Sequence, residues 1–289
     1  MILGYNTNGF AHHTLDDAIE IIAELGYGGV ALTLDVHHLN PFGGADDVDV
    51  DLPYRTNIVQ DELDTHRLRC VVETGARFLL DPRRKHQPTL LSADADDRLY
   101  RLEFLIDCVG IAADLGGDVV SFWSGTPDDD STPRRLMHRL TDGCKRLADY
   151  AASKKVRLAF EPEPGMFIDT MDKFAELHAQ VSHPAFGLTI DIGHLVCNGE
   201  LPVSEHLVRW KRWLWNVHIE DMRRGVHDHL MFGEGEVDFA DVFAGLRAAD
   251  YRGMVSVELS RHSHDAVNTA RRSIEFLRRF ALPAGGGPG

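Results

Sequence analysis

The stretch FGLTIDIGH, residues 186–194, constrains this chain more than any other. Phe186 to Ile190 is an apolar run of strand length that stops abruptly at Asp191, with Gly193 and His194 directly after it. A buried strand that delivers a carboxylate at its C-terminal tip, with an imidazole three residues later, has the form of a barrel strand feeding a site. Taken alone it is also the form of a strand ending in a turn, since Asp and Gly favour turns. The pattern recurs, however. RLAFEPEP puts Glu161 at a strand tip, WNVHIED puts His218 there and MVSVELS puts Glu258 there. Turn preference does not account for a metal-capable side chain at each of these tips.

Short apolar runs alternate with amphipathic stretches along the whole chain. Strands are predicted at 1–5, 29–34, 69–73, 118–122, 156–161, 186–191, 214–218 and 253–258. Helices are predicted over 14–25, 55–66, from Ser92 onward, and over 133–153, 169–180, 203–211, 238–249 and 265–280. Thr14 caps the first, whose apolar face is Leu15, Ala18, Ile19, Ile22 and Leu25. Leu99, Leu102, Leu105, Ile106 and Val109 form the stripe of the helix after Ser92, and Pro133 opens the next one. An irregular loop at 37–50 carries PFGG and an acidic run, and 82–88 is basic and expected to be exposed. Eight strands, each followed by a helix and with no linker between halves, predict an α/β fold of the (β/α)8 TIM-barrel type. The expected organisation is a single TIM-barrel domain over 1–282 and a disordered tail, PAGGGPG, at 283–289. A doubly wound sheet is the alternative, but the Gly-rich dinucleotide turn GxGxxG is absent.

The charge balance narrows the partners. Forty-five acidic against 30 basic residues leave a formal net charge of −15, which repels nucleic acid and anionic membranes. It does not forbid a small anionic substrate in a local basic pocket. No apolar run reaches the roughly 18 residues of a membrane helix, and the first residues lack the pattern of a signal peptide. Cys70, Cys108, Cys144 and Cys197 show no CxxC spacing and read as reduced thiols. These features predict a cytoplasmic protein with no nucleic-acid or membrane partner, and a homodimer is the usual state for an enzyme of this size. Of the 16 histidines, His12, His13, His37, His38, His194, His218, His227 and His229 lie near the predicted strand tips.

In such a barrel all strand C-termini face one pocket, so Glu161, Asp191, His218 and Glu258 are expected to converge. Three carboxylates and an imidazole suit one divalent metal ion, Mn²⁺ first, with Zn²⁺, Co²⁺ or Mg²⁺ as alternatives. Without a cation such carboxylates would repel one another. Glu73 ends the third strand and Trp123 follows the fourth; position makes both candidates for substrate binding, the indole through its apolar face. The prolines of EPEP favour a turn that brings Glu163 to the pocket rim. Glu220 and Asp221 are expected around the ligands or at the surface.

At these residues the chain resembles the xylose isomerase-like TIM-barrel family of sugar isomerases and epimerases, which includes ketose 3-epimerases, inosose isomerases and dehydratases, and hydroxypyruvate isomerase. Glu161, then DIGH with Asp191 and His194, then His218 and Glu258 carry the resemblance. It implies that the four ligands hold one metal, that Glu161 and Glu258 are also the acid–base pair, and that His194 and Arg224 contact substrate. His229, with His194 and His227, is expected to serve substrate recognition rather than a further metal. The implied chemistry is proton abstraction α to a carbonyl of a sugar or cyclitol, through an enediolate, giving isomerisation or epimerisation. The same site would serve a lyase that dehydrates a keto-sugar or inosose.

A second resemblance competes. HLMFGEGEVDF, residues 229–239, is similar to a segment of endonuclease IV-like, trinuclear zinc nucleases. There His194 and His229 fall on third-metal positions, with His227 where an aspartate is expected. The early histidines of those nucleases are missing, FWSG puts Trp123 where they carry a histidine, and the acidic balance opposes duplex binding. A non-catalytic metal-binding subunit is a third reading, opposed by the intact acid–base pair.

Overall fold

Strand alternation sorts this chain into side chains that face the barrel axis and side chains that face the helices. The computed structural model describes residues 1–43 and 52–281. β1 (Ile2–Asn6) leads through a 3₁₀ turn (Thr7–Phe10) to α1 (Leu15–Glu24), followed by β2 (Gly29–Thr33), α2 (Leu52–His66) and β3 (Arg69–Glu73). Then come α3 (Ala95–Asp114), β4 (Val119–Trp123), α4 (Pro133–Lys154), β5 (Arg157–Glu161), α5 (Met171–Val181) and β6 (Phe186–Asp191). Two short helices follow, α6 (Ile192–Asn198) and α7 (Val203–Trp210), and then β7 (Leu214–Ile219). A hairpin of β8 (Asp221–Arg223) and β9 (Val226–Leu230), α8 (Phe239–Ala248), β10 (Met254–Val257) and α9 (Ala266–Ala281) complete the described chain.

The barrel is closed and parallel, in the order β1-β10-β7-β6-β5-β4-β3-β2, which is the expected (β/α)8 arrangement. β8 and β9 pair antiparallel with each other and stand outside it. Local chemistry starts the helices where it was expected to: Thr14 Oγ1 accepts the Asp17 N–H, Thr132 the Arg135 N–H and Asp238 the Asp241 N–H.

Alternation places Phe160 and Phe186 outward, where they meet Phe122 and, on α5, Phe174 with ring centroids 5.1–6.3 Å apart. Inward-facing Ala31, Val71, Val119, Ala159 and Met254 close the lower barrel with small and flexible side chains. Above them the interior turns polar: Ser121 Oγ and Thr189 Oγ1 are 2.9 Å apart, and Thr189 also donates to the Ala159 carbonyl at 3.2 Å. One period higher lie Glu73, Trp123, Glu161, Asp191, His218 and Glu258.

Several expectations are corrected. Leu99 does not belong to the buried stripe of α3; it is 41% exposed, while Arg101, Leu102, Phe104, Leu105, Cys108 and Val109 are buried. Helical geometry turns Leu99 away from the face of α3 that buries Arg101, Phe104, Leu105 and Cys108. The residues after Asp191 continue as α6, and the segment after His218 forms the β8–β9 hairpin; neither was anticipated. In 82–88 the first residues are exposed, but His86 is half-buried and Pro88 buried. The acidic run of the 37–50 loop and the 283–289 tail lie outside the described residues. All four cysteines are buried and free. No helix among the described residues is long and apolar enough to cross a membrane.

Phe160→Ala should lower unfolding stability by about 3–5 kcal/mol in a denaturant titration, because it empties the centre of the aromatic layer behind β5. A loss below about 1 kcal/mol would show that this layer does not hold the strand.

Candidate active site

His218 stands at the tip of β7 with carboxylates on both ring nitrogens. Its Nε2–H donates to Glu73 Oε1 at 2.8 Å, and Asn216 Nδ2 donates to the same oxygen at 3.0 Å. Its Nδ1 lies 3.1 Å from Glu161 Oε1 and 3.1 Å from Glu258 Oε2. Asn8 Nδ2 holds the other oxygen of Glu258 at 2.9 Å. Asp191 pairs with His218 across the β6–β7 register, and its Oδ1 accepts the His194 N–H at 2.8 Å, capping α6. One atom each of Glu161, Asp191, His218 and Glu258 lies within 4.8 Å of the others.

Burial and charge act together here. Burial disfavours the His218 imidazolium, yet Glu73, Glu161 and Glu258 outweigh it and hold the ring well above its ordinary pKa. Burial pushes the Glu161 carboxyl up to about 8, helped by the charges of Glu258 and Asp191 and opposed by His218. Burial also acts upward on Glu258, but His218, His229 and His194 hold it below the usual carboxylate range. A cluster that draws a proton onto its imidazole draws positive charge generally.

The donor set fits a divalent cation. Glu73 occupies His218 Nε2 and leaves Nδ1 facing the carboxylates, the arrangement by which a second carboxylate orients a ligating histidine. Asp191 Oδ2 is buried and accepts no hydrogen bond from the described residues. Glu220 lies against this aspartate; burial first, then the Asp191 charge, raise its pKa well above the carboxylate range. Its Oε1 accepts the Gly193 N–H at 3.1 Å, and with Asp191 and His229 it forms a further group whose candidate ligand atoms lie within 4.8 Å of one another.

Three imidazoles form an adjoining group. His194 Nδ1 donates to the Pro162 carbonyl at 3.2 Å, which leaves its Nε2 to accept from His227 Nε2 at 3.0 Å. His229 Nδ1 donates to the Glu258 carbonyl at 3.1 Å. Nitrogens of all three rings lie within 4.8 Å of one another, so a second donor set exists, but its lone pair on His194 is already engaged. Burial holds His194 down to about 4 and also lowers His227, so both rings are neutral.

The strand tips open into a cavity of about 400 Å³ whose wall includes Glu73, Trp123, Glu161, His194, His218, His227, His229 and Glu258. A larger groove of about 710 Å³ on the outside, against α4 and α5, contains none of these residues. Arg224 is the exception among the expected contacts. It is exposed on the β8–β9 turn, outside the cavity wall, with its guanidinium against Gly199. The hairpin that sequence reading missed carries it away, and Arg261 after β10 supplies an arginine to the wall instead. His12, His13, His37 and His38 do not line the cavity; His38 is buried with its Nε2 3.1 Å from the His13 carbonyl. Asp221, expected near the ligands or at the surface, is buried and accepts N–H bonds from Met222, Gly233 and Val237 that tie the hairpin down. Asn8, Asn216, Lys85 and His86 were not singled out from sequence. Asn216 had a usable signal, since it lies two residues before His218 and so shares its face.

Two outcomes are expected. Metal titration should find one tight site per chain, retained in His227→Ala; two equally tight sites, one lost in that variant, would show the imidazole group to be a second centre. Glu73→Gln should weaken metal binding about 10–100-fold without unfolding the protein, because it loosens the orientation of His218. Unchanged affinity would remove Glu73 from that role.

The family model described as xylose isomerase-like TIM barrel matches residues 19–280. The L-ribulose-5-phosphate 3-epimerase UlaE of Shigella flexneri serotype 5b is 26% identical over 222 residues, 75% of this chain and 77% of that protein. The crystal structure of D-allulose 3-epimerase from Methylomonas sp. in complex with D-allulose superposes with a TM-score of 0.77 at 21% identity, covering 97% of each chain. The IOLI protein with a bound zinc atom superposes with a TM-score of 0.75 at 16% identity, over 97% of this chain and 99% of its own. At these identities the two structural likenesses speak for the fold. The family match extends over most of the barrel, and this chain belongs to the xylose isomerase-like TIM-barrel family.

Proposed function

We propose that this protein is a divalent-metal-dependent isomerase or epimerase of sugars or cyclitols that abstracts a proton α to a carbonyl. The placement of Glu161 and Glu258 carries the proposal. Each carboxylate stands 3.1 Å from His218 Nδ1, on strands three steps apart around the barrel, at the cavity wall. Two carboxyl groups that reach one small substrate from different strands can serve opposite faces of one carbon. The likeness to a ribulose-phosphate epimerase and to a D-allulose epimerase supports a ketose as the substrate type.

Glu161, Asp191, His218 and Glu258 would hold the cation, with Mn²⁺ the first choice for this hard, mixed donor set and Zn²⁺, Co²⁺ or Mg²⁺ as alternatives. When bound, it supplies the electrophilic pull that acidifies the C–H beside the substrate carbonyl. The protein's own part is positioning and proton transfer. Burial raises the Glu161 carboxyl to about 8, while His218, His229 and His194 lower Glu258, so the two carboxyls sit in the unlike surroundings that an acid and a base need. One glutamate removes the α-proton and leaves an enediolate; the other returns a proton from the opposite face and inverts the carbon. Return to the neighbouring carbon is isomerisation, and loss of a β-hydroxyl is dehydration, so the lyase outcome uses the same residues. His194, His229 and Trp123 line the cavity wall, which supports a role for them in contacting the sugar. Glu73 is placed there too, but its Oε1 is committed to His218 and Asn216, so its first task is to orient the imidazole.

Incubation of the Mn²⁺-loaded protein with a panel of ketoses and inososes in D₂O should place deuterium at the α-carbon of product. Glu258→Gln should keep metal, since its amide oxygen can still coordinate, but lose about 10²–10⁴-fold in kcat. Full retention of protium would point to a hydride shift between carbons and would reduce both glutamates to ligands.

A further inference from the structure

A buried cation behind the cavity wall has no part in the chemistry above. Arg101, on the second turn of α3, is 1% exposed. Burial lowers its guanidinium to about 10, which leaves it charged at neutral pH, and no carboxylate among the described residues pairs with it. Its Nη1 has no hydrogen-bond partner among those residues. A charge stripped of water is costly, and an apolar side chain at this position of α3 would avoid that cost.

The contacts of the guanidinium supply a reason for it. Its central carbon lies 4.7 Å from the centroid of the Trp123 ring and 5.2 Å from that of Phe104. Its Nη2 donates to the Thr74 carbonyl at 3.2 Å. The ladder between β3 and β4 pairs Val72 with Val120 and Glu73 with Ser121, so Thr74 and Trp123 lie beyond those pairs. There the two tips are joined through side chains. Thr74 Oγ1 donates to the Ser121 carbonyl at 2.9 Å, and Arg101 reaches from the Thr74 carbonyl to the Trp123 indole. His86 donates its Nδ1–H to the Gly75 carbonyl at 2.8 Å and meets the same indole at 83°, with centroids 4.9 Å apart. Thr74, His86 and Trp123 all line the cavity, and Glu73, next to Thr74, orients His218. A planar guanidinium can stack on a ring and donate to a carbonyl at once, which neither an ammonium nor an apolar side chain can do.

We infer that Arg101 is a positioning residue: it fixes the Trp123 indole as a rigid wall for the apolar face of a ketose, at a set distance from the β3 tip that orients His218. The nature of the sugar rests on the proposed function; the fixing of the indole does not.

The first part of the test needs no sugar. In the full chain without metal, the indole N–H resonance of Trp123 is identified by its loss in Trp123→Leu. Arg101→Met should shift and broaden that resonance and leave those of Trp210, Trp213 and Trp215 in place. Arg101→Lys, which keeps a cation but cannot stack flat, should move it too, and keeps the test open if the Met variant misfolds. The second part is calorimetry of D-allulose with the Mn²⁺-loaded chain. Arg101→Met should weaken binding about tenfold when Trp123 is present and less than about twofold in the Trp123→Leu background, because the two residues act as a unit. A ketose turned over by wild type should show the loss in KM, with kcat changed less than about threefold. An unmoved Trp123 resonance in a folded variant, wild type that binds no D-allulose, the same loss with and without the indole, or a loss confined to kcat would overturn the inference. Binding in the expected order with no turnover of any ketose or inosose would sink the proposed function and leave this inference standing.

Discussion

Everything at the top of this barrel depends on one imidazole held by three carboxylates. Glu73 takes the Nε2–H of His218, and Glu161 and Glu258 share its Nδ1. In a buried setting three negative charges around one ring would be costly if the ring stayed neutral, so the site takes up positive charge. A proton on His218 meets that need in the protein alone, and a divalent cation meets it with the same ligands. Burial, with the charges of Glu258 and Asp191, raises Glu161, and His218, His229 and His194 lower Glu258. Under the proposed function, cation binding and proton transfer would be two uses of one charge arrangement.

The scaffold beneath makes that arrangement stiff. The outward aromatic layer of Phe122, Phe160, Phe174 and Phe186 fixes the strands that carry Glu161 and Asp191. Between β6 and β7 the register shifts after Leu188, and the shift brings Asp191 level with His218. A Cβ at Gly193 would collide with the Glu220 carboxylate, so the close approach of α6 to that buried acid needs glycine. The β8–β9 hairpin then folds over the opening with His227 and His229, and Asp221 anchors it through three backbone N–H groups. The rim is assembled from loops whose shapes are set by such local ties.

The barrel and its strand-tip residues were legible in the sequence for a physical reason. Apolar runs of strand length alternate with helical stripes, and a period of two then dictates that Glu161, Asp191, His218 and Glu258 face inward together. The helix starts at Thr14, Pro133 and Asp238 were legible because a cap or an N-terminal proline acts within the first turn. Leu99 misled because apolar spacing marks a stripe, whereas the face that α3 buries is centred elsewhere, around Arg101, Phe104, Leu105 and Cys108.

What only the tertiary structure decided concerns contacts between distant segments. That Glu73 and Asn216 serve His218, that Asn8 holds Glu258, and that Arg224 points away while Arg261 lines the cavity follow from how loops after different strands meet. The turn of Glu163 is likewise held by Ser124 and Gly125, some forty positions earlier. A sequence carries the periodicities that build strands and helices, because those repeat along the chain. The loop contacts are single, non-repeating and long-range, and they exist only once the barrel has closed and brought its staves side by side.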